Sequence, residues 1–338
     1  MNNESREESF RRLRRVIAKS RVHFYKPIQI AEILYKARVM PGEIDLNDEE
    51  QYRKASKKWR DEVSLRLVGN RTTSSARYQD DIFREITPRV LANLVHANNK
   101  ENGEVERYIY RKMGEKWSVL SGILDYAEFS NPSNFSALEL VDMFVSESGM
   151  KRSIDKMYEV LTFTIMNHLI ENTFSPSVEL SYRIPEAPEL QLFSNSILMP
   201  NEKPASIHRV GVANAADRGI DIVTNFGPTI QVKHLDLSDA LVKQVIDSIP
   251  QGEIVLVVRD ARAASVASLL EDYGDRLKSI LTIHDLDMWY EHILHSGNVS
   301  EGEKSLLLKS LEANMRQEFP HLSQFTLFMQ ERGYDLRD

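Results

Sequence analysis

The stretch that decides the fold is HRVGVANAADRGIDIVTNFGPTIQVKHLDLS, residues 208–238. Within it, GIDIVTNF and TIQVKH alternate apolar and polar residues, and Gly227-Pro228 lies at the junction. A period of two on either side of a Gly-Pro break predicts a β-hairpin. Side chains alternate across a strand, so Ile220 and Ile222 take one face and Asp221 the other. Ile230 and Val232 share a face, and Gln231 and Lys233 share its opposite. A lysine in an otherwise apolar strand is costly to bury unless an opposite charge meets it. An aspartate on the neighbouring strand supplies that charge if it lies on the same face. Directly opposite residues of an antiparallel pair do share a face. Pairing Asp221 with Gln231 leaves Asn225, Phe226 and Gly227 as a three-residue loop. Pairing it with Lys233 leaves a five-residue loop, 225–229. A two-residue loop would set Asp221 opposite Val232 and turn the carboxylate away. An odd-length loop, or a bulge that restores parity, is therefore expected. The Asp221 carboxylate should then lie within roughly 4–6 Å of the Lys233 ammonium.

Downstream, LSDALVKQVIDSI reads as helix, EIVLVVRD as a buried strand, ARAASVASLLEDYG as helix and SILTIHD as strand. This β-α-β-α-β order implies parallel strands with helices on the sheet faces. Upstream, VELSY at 178–182 reads as a strand. Before it, a helix over 153–172 carries one formally charged residue, Glu159, between Met157 and Ile170. A helix apolar nearly all round belongs inside the protein. The first half is helical. FRRLRRVIAKS, KPIQIAEILYKARV and DEEQYRKASKKWRDEVSLRLVG space their apolar residues by three and four. The third of these starts after Asn47, a good N-cap, and stops near Gly69. GNRTTSSARYQDD is a polar loop. Further helices fall near 86–98, 103–128 and 135–147, the last two separated by NPSN at 131–134. From about 284 the chain is helical again. The expected fold class is mixed, α+β with an α/β element: a helical N-terminal half, a mixed sheet flanked by helices, and a helical C-terminal tail.

Of 338 residues, 42% are hydrophobic and 28% charged, as in a soluble globular protein. The chain has no cysteine, which excludes disulfides, thiol catalysis and cysteine-ligated zinc. No apolar run is long enough to span a bilayer. The start MNNESREESFRRLRRV lacks the apolar core of a secretory signal, and its three early glutamates argue against a transit peptide. A cytoplasmic protein of a bacterium or archaeon is the expectation. Net charge is −7, but residues 1–77 hold 18 Lys/Arg against 11 Asp/Glu, leaving −14 on the remainder. A protein that grips phosphates with one part and holds metal with another has this distribution. Ordinary surface charge, unevenly spread, has it too.

The order Asp221, nine residues, Gln231-x-Lys233 resembles the motif of PD-(D/E)XK nucleases. That resemblance implies Mg²⁺, with Mn²⁺ as a substitute, held by the acidic positions beside a scissile phosphate. Lysine there orients the attacking water and stabilises developing charge. Phosphodiester cleavage needs a hard cation on oxygen ligands, a positioned water and a positive charge near phosphorus. The sequence departs from the motif twice. Ile220 stands where proline is usual, and Gln231 stands for the middle acid. An amide carbonyl ligates Mg²⁺ without bringing charge, so a second carboxylate is wanted. Members of the superfamily place a glutamate on the helix before the sheet, which makes Glu159 the candidate. Its plainer role is a helix-stabilising acid near an N-terminus. The implied metal set is thus Asp221, Gln231 and Glu159, and the catalytic set adds Lys233.

SRVHFYKPIQIAEILYKARV, RTTSSARYQDDIF, KMYEVLTF and NAADRGIDI-x6-TIQVKHL together resemble the HaeII-type type II restriction endonucleases, from about residue 20 to 260. The block with Tyr25-Lys26-Pro27 is the discriminating one. The resemblance implies double-strand cleavage at a short palindrome, purine-GCGC-pyrimidine, and a palindrome implies a two-fold homodimer. It divides the chain into a helical DNA-recognition region (1–148), a nuclease core (149–298) and a helical extension (299–338). Three basic stretches are candidate contacts to double-stranded DNA: Arg11, Arg12, Arg14, Arg15 and Lys19; Arg53, Lys54, Lys57, Lys58 and Arg60; and the loop from Arg71 to Arg77. The loop, with Arg71 and Arg77 among small hydroxyl residues, suits entry into a groove. Arg14, Arg15, Lys57 and Lys58 suit phosphates. His208, His234 and His284 are placed in or near the core, His234 packed on the face away from Lys233. With no paired histidines, a zinc site is not expected. A junction-resolving or repair nuclease with this core, and an inactive DNA-binding relative, are the alternatives.

Overall fold

The computed structural model describes residues 3–20, 25–43, 45, 48–68, 86–146, 150, 153–179, 202–210, 220–249, 251–319 and 322–334. Among the described residues the first half holds six helices: α1 (Asn3–Lys19), α2 (Tyr25–Val39), α3 (Glu49–Val68), α4 (Pro88–Lys100), α5 (Glu104–Phe129) and α6 (Ala137–Ser146). Proline opens α4 after an extended Thr87, where its missing N–H goes unneeded and its fixed φ suits the first turn. Asp48 caps α3, its carboxylate accepting from the Gln51 N–H at 3.0 Å; the expected cap, Asn47, lies outside the described residues. Between α4 and α5 the chain turns at Gly103, with φ of 92°. A Cβ there would meet Arg38 Nε at 2.9 Å, so the position favours glycine on two counts. Helix α5 buries Ile109, Met113, Trp117, Leu120 and Leu124 at spacings of three and four.

Helix α7 (Ile154–His168) follows, extended by a π-helical turn over Leu169–Phe174 and closed by Ser175 in the left-handed region. As its composition requires, α7 is buried along most of its length. Next come β1 (Ser177–Glu179) and β2 (Glu202–Pro204), an antiparallel ribbon. A five-stranded sheet then assembles in the order β3 (Ile207–Arg209), β4 (Ile222–Thr224), β5 (Thr229–Val232), β6 (Ile254–Val258), β7 (Leu277–Thr282). The first two pairings are antiparallel and the last two parallel. Helices α8 (Asp239–Ser248) and α9 (Ala263–Tyr273) make the crossovers. Helices α10 (Ile283–His295), α11 (Glu301–Glu318) and α12 (Leu322–Glu331) complete the fold.

The sheet is covered on both faces. Ile207, Ile222, Ile230, Val232 and Val257 join a core shared with the helical half, α7 and the C-terminal helices. Ile254, Leu256, Val258 and Leu277 pack on Leu241, Val242 and Leu269 from α8 and α9. The larger core runs without a break from Leu13 to Tyr334. Arg332 ties the end of α12 back to the first half. It donates to the buried Glu32 at 2.7 Å and stacks on Tyr35 at 4.2 Å. Beside it, buried Glu106 accepts from Arg38 at 2.5 Å and from the Tyr334 hydroxyl.

Two readings of the sequence are corrected. SILTIHD is not all strand, because Thr282 ends β7 and caps α10. The Thr282 hydroxyl accepts from the Asp285 N–H at 3.3 Å, while the Asp285 carboxylate accepts from the Thr282 N–H at 2.7 Å. This reciprocal capping box draws Ile283, His284 and Asp285 into the helix. Strands β2 and β3 were not anticipated. Each has three residues, too few for alternation to register.

Candidate active site

The β4–β5 hairpin pairs Ile222 with Ile230. That register leaves Asn225, Phe226 and Gly227 as a loop of odd length. The Thr224 hydroxyl donates to Pro228 O at 2.8 Å across its mouth, and Gly227 takes a φ of 140°. Asp221, just before β4, is held in the ladder. Its N–H donates to Ile230 O at 3.3 Å, and its carbonyl accepts from the Val210 N–H at 2.9 Å. Its carboxylate then does what a backbone carbonyl would do in a longer ladder. Asp221 Oδ2 accepts from the Val232 N–H at 2.8 Å and from Gln231 Nε2 at 2.5 Å. Lys233 Nζ lies 3.8 Å from the same oxygen. Asp221, Gln231 and Lys233 are thus together on one side of the hairpin, as strand parity demanded. The Lys233 N–H donates to Val257 O at 2.8 Å, which fixes its backbone to the parallel half of the sheet.

Electrostatically the site is poised. Burial pushes the Asp221 carboxyl up to about 6, and the charge of Glu159 pushes the same way. The Lys233 ammonium, the Val232 N–H and Lys156 oppose the rise. Gln231 is 1% exposed, and its Oε1 has no hydrogen-bond partner. An orphaned buried carbonyl beside a buried carboxylate leaves oxygen ligands of the kind a hard cation takes. The residues therefore fit a Mg²⁺ site built from Asp221 and Gln231. Among the described residues no three Asp, Glu or His side chains cluster as metal ligands. Gln231 is an amide, so it adds no carboxylate to such a cluster.

Glu159 is buried on α7 and near enough for its charge to act on Asp221. Its carboxylate is engaged elsewhere. Lys156 Nζ donates to both its oxygens, at 2.8 and 2.6 Å. Burial raises the Glu159 carboxyl and Lys156 pulls it back down, with Glu318 and Arg209 acting further out in opposite directions. Arg209 on β3 donates to buried Glu318 on α11 at 2.9 Å. Lys156, Arg209 and Glu318 were missed in the sequence. Only Lys156 left a signal, three residues before Glu159 on one helix face.

His208, His234 and His284, expected in or near the core, are not buried. His208 and His284 are exposed, and half-buried His234 contacts Asp155 on α7. All three lie where polar partners or solvent reach them. Among the described residues the buried histidine is His168, its pKa lowered by desolvation. Of the basic candidates, Arg14 and Arg15 are exposed on α1, while on α3 Lys58 is exposed and Lys57 half-buried. Arg60 is turned inward, fully buried, with Asp61 at 3.1 Å, so it is not a solvated contact. Arg71 and Arg77 lie outside the described residues. Among the described residues no helix is long and apolar enough to cross a membrane.

The family model for the HaeII restriction endonuclease matches residues 9–334. Type II restriction enzyme HaeII of Haemophilus aegyptius is 39% identical, over 96% of this chain and 95% of its own length. Type II restriction enzyme NgoBI of Neisseria gonorrhoeae is also 39% identical, over 95% of both chains. No solved structure matches. With the hairpin site in place, the chain belongs to the HaeII family of type II restriction endonucleases, nucleases of the PD-(D/E)XK superfamily that act on DNA.

Proposed function

We propose that the chain is a Mg²⁺-dependent enzyme that cuts both strands of DNA at a short palindrome, purine-GCGC-pyrimidine, as a homodimer. The observation that carries the chemistry is the convergence of Asp221, Gln231 and Lys233, with Gln231 Oε1 buried and unengaged. Asp221 and Gln231 hold the cation, and Glu159 completes the set from α7. When bound there, Mg²⁺ supplies Lewis acidity toward the scissile phosphate. Lys233 is the chain's own positive charge at the reaction. At 3.8 Å from Asp221 and about a third exposed, its ammonium is loosely held and open to a phosphate oxygen and the attacking water. The target is carried over from the resemblance of the sequence blocks to the HaeII-type enzymes. A palindrome matches the two-fold axis of a dimer.

In this reading residues 1–148 find the DNA, 149–298 cut it and 299–338 brace the two. Arg71 and Arg77 contact bases, while Arg14, Arg15, Lys57 and Lys58 contact phosphates. Supercoiled plasmid incubated with Mg²⁺ tests it. Discrete bands whose sequenced ends share one palindrome support the proposal. Nicks that follow DNA structure identify a junction or repair nuclease, and a mobility shift without cleavage identifies an inactive binder. Lys233→Ala is expected to lower cleavage by about 10²–10³-fold or more while retaining binding to the target duplex. Cleavage by that variant at a near-normal rate refutes the assignment.

A further inference from the structure

Lys156 is a part-buried cation that the site has not used. It stands in the first turn of α7, 13% exposed, bonded to both oxygens of a Glu159 side chain that is 6% exposed. A lysine and a glutamate three apart on a helix ordinarily form a solvated pair that contributes a few tenths of a kcal/mol, about 0.2–0.5. Here both ions are out of water, and desolvation opposes burial of each. Two more ion pairs lie close by, Lys233 with Asp221 at 3.8 Å and Arg209 with Glu318 at 2.9 Å. Three cations thus balance three carboxylates. Among the three, the Lys156 ammonium is bonded to Glu159 and its charge also acts on Asp221. It does for these two carboxylates, with one charge, what a divalent ion does with two.

We propose that Lys156 is a positioning residue whose ammonium holds Glu159 in place of the divalent cation, so that metal enters the site by exchange with Lys156. The proposal rests on the reading of Glu159 as a cation-holding residue. Its physical basis is competition. Both oxygens of Glu159 are taken by Lys156, whereas Gln231 Oε1 beside Asp221 is unengaged. An entering cation gains Glu159 only by displacing the ammonium. The displaced lysine, on its flexible four-carbon stem, then leaves a pocket in positive excess. Bound DNA phosphate offsets that excess. Metal binding should therefore be weak without DNA and tighter with it, and the linkage is reciprocal.

The test measures Mn²⁺ binding to the full chain without DNA, by the electron paramagnetic resonance signal of free Mn²⁺. Lys156→Met is expected to bind Mn²⁺ about tenfold more tightly than the natural protein. Lys156→Arg keeps the charge and is expected to bind as weakly as the natural protein, which separates exchange from loss of the fold. Glu159→Gln should weaken binding, and the double variant Lys156→Met with Glu159→Gln should bind no more tightly than Glu159→Gln alone. Lys156→Met that binds Mn²⁺ no more tightly, alongside a weakened Glu159→Gln, overturns the exchange and leaves the Glu159 reading standing. Glu159→Gln that binds as the natural protein does overturns both.

Discussion

Replacing Asp221 by asparagine should stabilise the metal-free protein while abolishing cleavage. Burial and the charge of Glu159 lift the Asp221 carboxyl from its ordinary 3.8 to about 6. At ~1.36 kcal/mol per pH unit, holding that carboxylate ionised in the folded state costs up to about 3 kcal/mol. The sign follows from where the proton sits. Above pH 6 the group is ionised folded and unfolded, and the folded state bears the full cost. Between 6 and 3.8 the folded protein takes up its proton first, so the cost fades. Below 3.8 both states are protonated and the cost is gone. Asparagine carries no charge, and its Oδ1 can still accept from the Val232 N–H and Gln231 Nε2 that now bond Oδ2. The Lys233 ammonium loses its partner but is about a third exposed, so water replaces much of it. Urea unfolding without divalent ions, at pH 8 and at pH 4, reads the difference. Asp221→Asn should be more stable by about 1–3 kcal/mol at pH 8 and nearly equal at pH 4. Added Mg²⁺ should stabilise the natural protein and not the variant. A variant less stable than the natural protein at pH 8 would show that the carboxylate is a structural anchor, and would refute the view of this site as one held ready for a cation.

Gln231→Glu should keep measurable cleavage and shift the preference between Mg²⁺ and Mn²⁺, whereas Gln231→Leu should lose activity; equal rates in all three proteins would remove Gln231 from the metal site. Arg71→Ala or Arg77→Ala should cost about 1–3 kcal/mol on the target duplex and little on random DNA. Arg14→Ala or Lys57→Ala should weaken both alike and flatten the salt dependence, as binding titrations across salt concentrations would show. Arg332→Ala leaves the buried Glu32 carboxylate short of its cation and should cost about 3 kcal/mol in urea unfolding, most of which Arg332→Met combined with Glu32→Leu should recover.

What the sequence revealed of the site is what period and parity carry. Alternation assigned Asp221, Gln231 and Lys233 to one side of a hairpin and required an odd loop, and the Ile222–Ile230 register supplies one. The lone charge on an apolar helix singled out Glu159 as buried. Alternation says nothing about partners distant in the chain. Lys156 went unremarked because its burial comes from packing that no local pattern records, and Arg209 sat on a strand of three residues. Arg60 shared a basic stretch with lysines, yet the packing of α3 turns it inward. The salt bridges that bind the last helices to α2, α3 and α5 left no local trace.

Those last contacts bear on how the chain comes to be active as it is made. Asp221 meets Gln231 across a sequence separation of 10, so the β4–β5 hairpin forms from residues synthesised together. The helical half closes on another timescale. Glu32 waits for Arg332 across 300 residues, Arg38 for Tyr334 across 296, and Arg66 for Glu331 across 265. Trp117 packs on Phe325, ring centres 4.4 Å apart. Until residues 325–334 leave the ribosome, the helical half of a nascent chain lacks part of its core and its buried ion pairs, and non-local closure of this kind is slow. The order of synthesis thus holds back the packing of the helical half until residues 325–334 are available to it.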